Sequence, residues 1–166
     1  MESLEQQRAT LEVLQVISSS LGELEPVFAT MLQKAVRICD ATFGNIYRWD
    51  GDALHLVATC NTPPAFAKWR RASPMKPAGR ETAPRRLLAS HEVVHVTDAA
   101  AEPSYVDRSD PGAVAVVELG GVRTALFVPM RKEDDLIGSF TVYRQEVRPF
   151  TDKQIELSRT SPLKPL

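Results

Sequence analysis

The stretch from Arg123 to Gln145, RTALFVPMRKEDDLIGSFTVYRQ, reads as strand, charged turn, strand, and neither strand has a clean polar face. Thr124, Leu126, Val128 and Met130 alternate with Ala125, Phe127 and Pro129. Ile137, Ser139, Thr141 and Tyr143 alternate with Gly138, Phe140 and Val142. A hairpin with one wet side alternates apolar with polar residues. This pattern therefore predicts a sheet covered on both faces, with Lys132-Glu133-Asp134-Asp135 as the solvated tip of the hairpin.

The covering elements are legible upstream. Residues 2–21 carry Leu4, Leu11, Val13, Leu14 and Ile17 among polar residues, with no Pro or Gly before Gly22, and they predict a helix. Leu4–Leu11 and Leu14–Leu21 give a short heptad seam, which suits either a helix lying on its own domain or half of a dimer contact. A second helix begins at about Glu25, with Pro26 in its first turn. Val27, Phe28, Met31, Leu32, Ala35, Val36 and Cys39 form its broad apolar stripe, on which Cys39 reads as a small buried hydrophobe.

Phe43–Trp49 and Leu54–Cys60 form a hairpin around Asp50-Gly51-Asp52. PPAFAKWRRA is a short helix begun by Pro63-Pro64, and Thr82 caps another at Pro84–Ala89. VVHVTD is a short strand, AAAEPSYVDRSDPG a loop, and AVAVVELGG a short helix ended by Gly120-Gly121. After the second hairpin, Phe150-Thr151-Asp152-Lys153-Gln154-Ile155 combines a capping box with a hydrophobic staple and launches a final helix. Pro162 and Pro165 stop it early. The order is α-α-β-β-α-α-β-α-β-β-α, an α+β domain built on an antiparallel sheet.

Composition adds bounds. A chain of 166 residues is one domain with short appendages, and a net charge of −1 provides no field for nucleic acid or an anionic membrane. No run approaches the ~18 apolar residues of a membrane span. MESLEQQRAT lacks the pattern of a secretory signal, so the expected location is the cytoplasm, with reduced thiols at Cys39 and Cys60. His55, His91 and His95 are scattered, and no metal-type Cys/His spacing occurs.

Taken in order, EPVFATMLQKAVRICDA, FGNIYRWDGDALHLVA, VVHVTD, RTALFVPM, DDLIGSFTVYR and RPFTDKQIEL resemble a GAF domain over Leu24–Leu157. The Pro-Met after one strand, the Ile-Gly opening the next and the Phe-Thr-Asp before the last helix are the most specific pieces. All are scaffold features; none is catalytic. LEVLQVISSSLGELEPVF and YRQEVRPFTDKQIEL are similar to GAF domains placed upstream of kinase or cyclase domains in bacterial multidomain sensors. The resemblance implies terminal helices on one face of the sheet, with short helices and loops enclosing a small-molecule pocket on the other. It also implies homodimerisation through the terminal helices and an output domain in relatives. The domain layout is then a dimer or linker helix at 1–22, a sensory domain at 23–157, and an irregular tail at 158–166 that reads as a truncated final helix. Pro84 in RETAPRRLLAS stands where relatives often have Gly.

The expected function is a non-enzymatic, small-molecule-binding sensory module. A ligand-free GAF scaffold for dimerisation is the alternative, and a cysteine-based free methionine sulfoxide reductase ranks last, since the chain has only two cysteines. GAF relatives bind cyclic nucleotides, haem or bilins. Cys60 lacks a bilin-type motif around it, His95 is the best-placed histidine for haem, and the cyclic-nucleotide pattern is absent. The sequence names no cofactor. Thr124 and Tyr143 are polar residues on the hairpin strands and candidates to face a ligand, with Tyr47, Trp69 and Tyr105 as aromatic walls. Lys68, Arg70, Arg71, Lys76, Arg80, Arg85 and Arg86, with the single acid Glu81, suit either a solvated basic surface or an anion site.

Overall fold

The computed structural model of the chain describes residues 28–76, 82–132 and 135–159. The helix expected over 2–21, the start of the next one, the tip residues Glu133 and Asp134, and the tail from residue 160 lie outside the described residues. Helix α1 occupies 28–38, followed by β1 (Phe43–Trp49) and β2 (Leu54–Cys60). Then come α2 (Pro64–Ala72), α3 (Ala83–Ser90) and β3 (Val94–Val96). The segment expected to be a loop instead holds a 3-10 turn, Ala99–Ala101, and a one-turn helix, α4 (Pro103–Val106). Local chemistry explains the correction: the Asp98 carboxylate accepts from Ala100 N at 3.0 Å, and Pro103 occupies the first turn of α4. Helix α5 runs over Pro111–Glu118, capped by Asp110, and Gly121 takes a left-handed φ of 65° just beyond it. The hairpin β4 (Thr124–Lys132) and β5 (Asp135–Arg144) and helix α6 (Asp152–Arg159) complete the order.

The five strands form one antiparallel sheet in the order β2-β1-β5-β4-β3. Helix α1 and the start of α6 cover one face. Leu32, Ala35, Val36 and Cys39 of the α1 stripe meet Ile46, Leu126, Val128, Phe140, Val142 and Phe150 there. On the other face, Phe66 of α2, Leu87 of α3 and Ala115 of α5 close over Phe43, Tyr47, Ala125, Phe127 and Tyr143. The doubly apolar hairpin is thus buried on both sides, by long helix on one and short helices on the other.

Two of the scaffold motifs have a local cause. A Cβ on Gly138 would stand 2.2 Å from the Tyr47 carbonyl oxygen, so only glycine fits the close approach of β5 to β1. Pro129 falls beyond β3, which pairs only with Ala125–Phe127, so β4 is an edge on that side there. The capping box forms as the sequence predicts: Gln154 N donates to Thr151 Oγ1 at 3.1 Å, and Thr151 N donates to Gln154 Oε1 at 2.9 Å. Among the described residues, no helix is long and apolar enough to cross a membrane.

Candidate functional site

Between the short-helix layer and the sheet lies a cavity of about 370 Å³. Val96, Val122, Ala125, Phe127 and Tyr143 form its floor on the sheet side. Trp69 and Arg70 of α2, Thr82 and Ala83 at the head of α3, and Gly112, Ala113 and Val116 of α5 supply its walls. The lining is mostly apolar with a few polar groups, the usual composition of a small-molecule site.

The polar groups come from two sources. The first is a chain of buried hydrogen bonds under the floor. Thr62 Oγ1 donates to Asn45 Oδ1 at 2.6 Å, Asn45 Nδ2 donates to Tyr47 Oη at 2.8 Å, and the two hydroxyls of Tyr47 and Tyr143 meet at 2.8 Å. Burial pushes the Tyr143 phenol well above its usual range, with the neighbouring Tyr47 hydroxyl adding to the shift, so Tyr143 stays neutral. Its ring stacks on Phe43, with centroids 4.6 Å apart, and meets Phe66 edge-on.

The second source is Arg70. It stands four residues after Phe66, so both fall on the buried stripe of α2, and Arg70 is only 5% exposed. Its guanidinium carbon lies 4.9 Å from the Trp69 ring centroid and 5.7 Å from that of Phe66. The basic segment therefore divides. Lys68, Arg71, Lys76 and Arg85 are exposed, Arg86 pairs with Glu102 at 3.0 Å, and Arg70 alone among the described cations of the segment is fully turned inward. Arg80 and Glu81 lie outside the described residues.

Of the residues singled out from sequence, Trp69 and Tyr143 line the cavity, and Tyr47 sits directly behind Tyr143. Thr124 and Tyr105 do not line it. Thr124 shares its strand face with Leu126 and Val128, toward α1 and α6; its hydroxyl donates to Thr97 O at 2.8 Å and accepts from Arg148 N at 3.0 Å. Tyr105, on α4, donates to Glu118 Oε2 at 3.4 Å beside the Arg108–Glu118 ion pair. Sequence reasoning placed Arg70 only within a basic segment; its i+4 spacing from Phe66 is the signal that marks it as buried. Gly112 and Asp110 were missed because α5 was started too late.

The thiols and the strand histidine belong to the opposite face. Cys39 and Cys60 are buried free thiols in the cluster beneath α1. Burial pushes the Cys39 thiol up to about 11 against an opposing pull from Arg144, and it raises that of Cys60. His95 packs on Phe150 and accepts from Phe150 N through Nε2 at 3.1 Å. Among the described residues, no cluster of His, Cys, Asp or Glu is arranged to hold a metal ion.

An antiparallel sheet with helices on both faces and a cavity under the short ones defines a small α+β sandwich. The GAF domain family matches residues 23–160, and the chain belongs to that family. Solved structures with the same fold include the GAF domain/HD domain protein from Geobacter sulfurreducens, 18% identical over 86% of this chain and 88% of that one, with a TM-score of 0.69. A domain of a protein named for the two-component sensor histidine kinases, from Sinorhizobium meliloti 1021, is 20% identical over 82% and 84%, with a TM-score of 0.63. The blue-light absorbing form of the PixJ GAF domain from Thermosynechococcus elongatus is 18% identical over 85% and 81%, with a TM-score of 0.62. No curated protein matches the chain.

Proposed function

We propose that this chain is a small-molecule-binding sensory module of signal transduction, without catalysis of its own, that biases a sensor kinase or cyclase output domain. The observation that carries the reading is the cavity of about 370 Å³ between sheet and short helices, with buried polar groups at its wall and floor. Buried thiols with raised pKa, set on the opposite face of the sheet, are poorly suited to methionine sulfoxide reduction. The named neighbours support an origin in sensor proteins: a two-component sensor histidine kinase protein, a GAF domain/HD domain protein and a blue-light absorbing GAF domain.

Native mass spectrometry of protein purified from its own host tests the reading. A retained small molecule is the expected result. A mass equal to the bare polypeptide, with no thermal shift across nucleotides, haem, tetrapyrroles and carboxylic acids, would leave a ligand-free scaffold.

Within the same proposal the chain forms a homodimer through its terminal helices, since Ile38 at the end of α1 and Leu157 on α6 are 45% and 42% exposed. Sedimentation velocity on Ile38→Glu/Leu157→Glu checks this. A dimer persisting in the double variant counts against it.

A further inference from the structure

The guanidinium of Arg70 is buried beside the cavity with little to bind. Nε is buried and has no acceptor, and Nη1 reaches only Ser73 O, at a long 3.4 Å. A buried cation is costly unless it is paired and hydrogen-bonded. No carboxylate among the described residues forms an ion pair with it. The two acids that line the cavity are otherwise engaged. Glu102 is held by Arg86 at 3.0 Å, and Asp110 Oδ2 accepts from Ala113 N at 3.0 Å as the cap of α5.

The geometry leaves room for an acceptor at this point. A Cβ on Gly112 would stand 3.3 Å from both Arg70 Nη2 and Asp110 Oδ2, so glycine lets the head of α5 approach the guanidinium without covering it. The guanidinium carbon lies over the rings of Trp69 and Phe66, contacts that use none of its N–H groups as a conventional donor and leave them for an oxygen partner. A second donor comes from the floor. Tyr143 lines the cavity, and its hydroxyl shares a 2.8 Å hydrogen bond with that of Tyr47 in which either can donate, so the Tyr143 O–H can turn to a ligand while its oxygen accepts from Tyr47.

We propose that the cavity binds a small molecule with an apolar body and one carboxylate, the carboxylate paired with Arg70 and assisted by the Tyr143 hydroxyl. One inward cation, with Asp110 close by, suits a single negative charge better than a phosphate dianion. Val96, Val116, Val122, Ala125 and Phe127 receive the apolar body. The proposal rests on the reading of the cavity as a ligand site and names the class of ligand.

The test uses the full chain with benzoate, indole-3-acetate and octanoate, each against its primary amide, by thermal shift and titration calorimetry. Native mass spectrometry of protein from its own host runs alongside. The expected result is that at least one acid raises Tm and its amide binds at least tenfold more weakly. Arg70→Met and Arg70→Gln abolish that difference and raise the Tm of the ligand-free protein. Arg70→Lys keeps a reduced response, and Tyr143→Phe weakens the acid severalfold.

Two variants at Arg70 guard against a folding failure in one. Amides that bind as well as acids, a retained molecule that is neutral, or Arg70 variants that lose Tm without ligand would each overturn the carboxylate assignment while leaving a ligand site standing. No binding of any probe, together with no retained mass, overturns both. A retained acid supports the proposal even where the three probes fail.

Discussion

Among the described residues two arginines are buried, one on each side of the sheet, and their surroundings differ sharply. Arg144, at the end of β5 and 1% exposed, faces α1 and α6. It donates to the carbonyls of Cys39, Asp40, Arg148 and Pro149 and to the side chain of Gln154, and it lies 4.1 Å over the Phe150 ring. Arg70, on the other side, has one long hydrogen bond and an unpartnered Nε. A buried guanidinium whose donors are used up by its own chain is a structural rivet. One whose donors stay open beside a cavity is a group awaiting a partner. The sheet thus separates a finished face from an unfinished one, and the unfinished face holds the candidate site.

The comparison breaks most visibly at Arg144. Arg144→Met strips several backbone carbonyls of their donor and unfastens the α1–β1 corner from the head of α6. A loss of about 3–5 kcal/mol is expected, read as a lower urea midpoint. A loss under about 1 kcal/mol would mean that water replaces these bonds freely, and the contrast between the two faces would collapse.

The chain of hydroxyls under the cavity comes next. Tyr47→Phe removes the acceptor of Asn45 Nδ2 and the partner of Tyr143 in one step, leaving a buried amide donor unmade, at a cost of about 1–3 kcal/mol. Tyr143→Phe orphans a rotatable hydroxyl instead of a fixed amide and is expected to cost less. Equal losses in chemical denaturation would show that the Asn45 amide finds another acceptor once the Tyr47 hydroxyl is gone. Arg70→Met carries the opposite sign: a ligand-free gain of about 1 kcal/mol, from replacing a poorly paired charge by an apolar side chain of similar length.

The sequence made the finished face easier to read than the unfinished one. The α1 stripe, the capping box and staple at Phe150–Ile155, and both hairpins follow from local spacing, and each appears as expected. The cavity side is built from elements of one to three turns, α2 to α5, whose positions depend on long loops rather than on periodicity. There the reading lost α4, started α5 late and placed Arg70 only in a basic segment. Thr124 lies off the cavity for a sharper reason. A polar residue among apolar neighbours signals a satisfied hydrogen bond as readily as a ligand contact, and strand alternation puts Thr124 with Leu126, on the side away from the cavity.

His95 gives the gentlest test of the finished face. Its Nε2 accepts from Phe150 N, so the folded protein needs that nitrogen unprotonated, with the proton of the neutral ring on Nδ1. Burial and, to a lesser degree, the Arg144 charge both hold its pKa below the ordinary value of 6.5. The unfolded chain therefore takes up a proton before the folded one does. The stabilisation is complete above about pH 6.5 and is lost as pH falls through the lower, folded value. Urea midpoints measured from pH 7.5 down to 5 are expected to fall for the parent protein and to fall less for His95→Gln. Parallel profiles would remove His95 from the set of groups that fasten α6 to the sheet, leaving that task to Arg144 and the capping box.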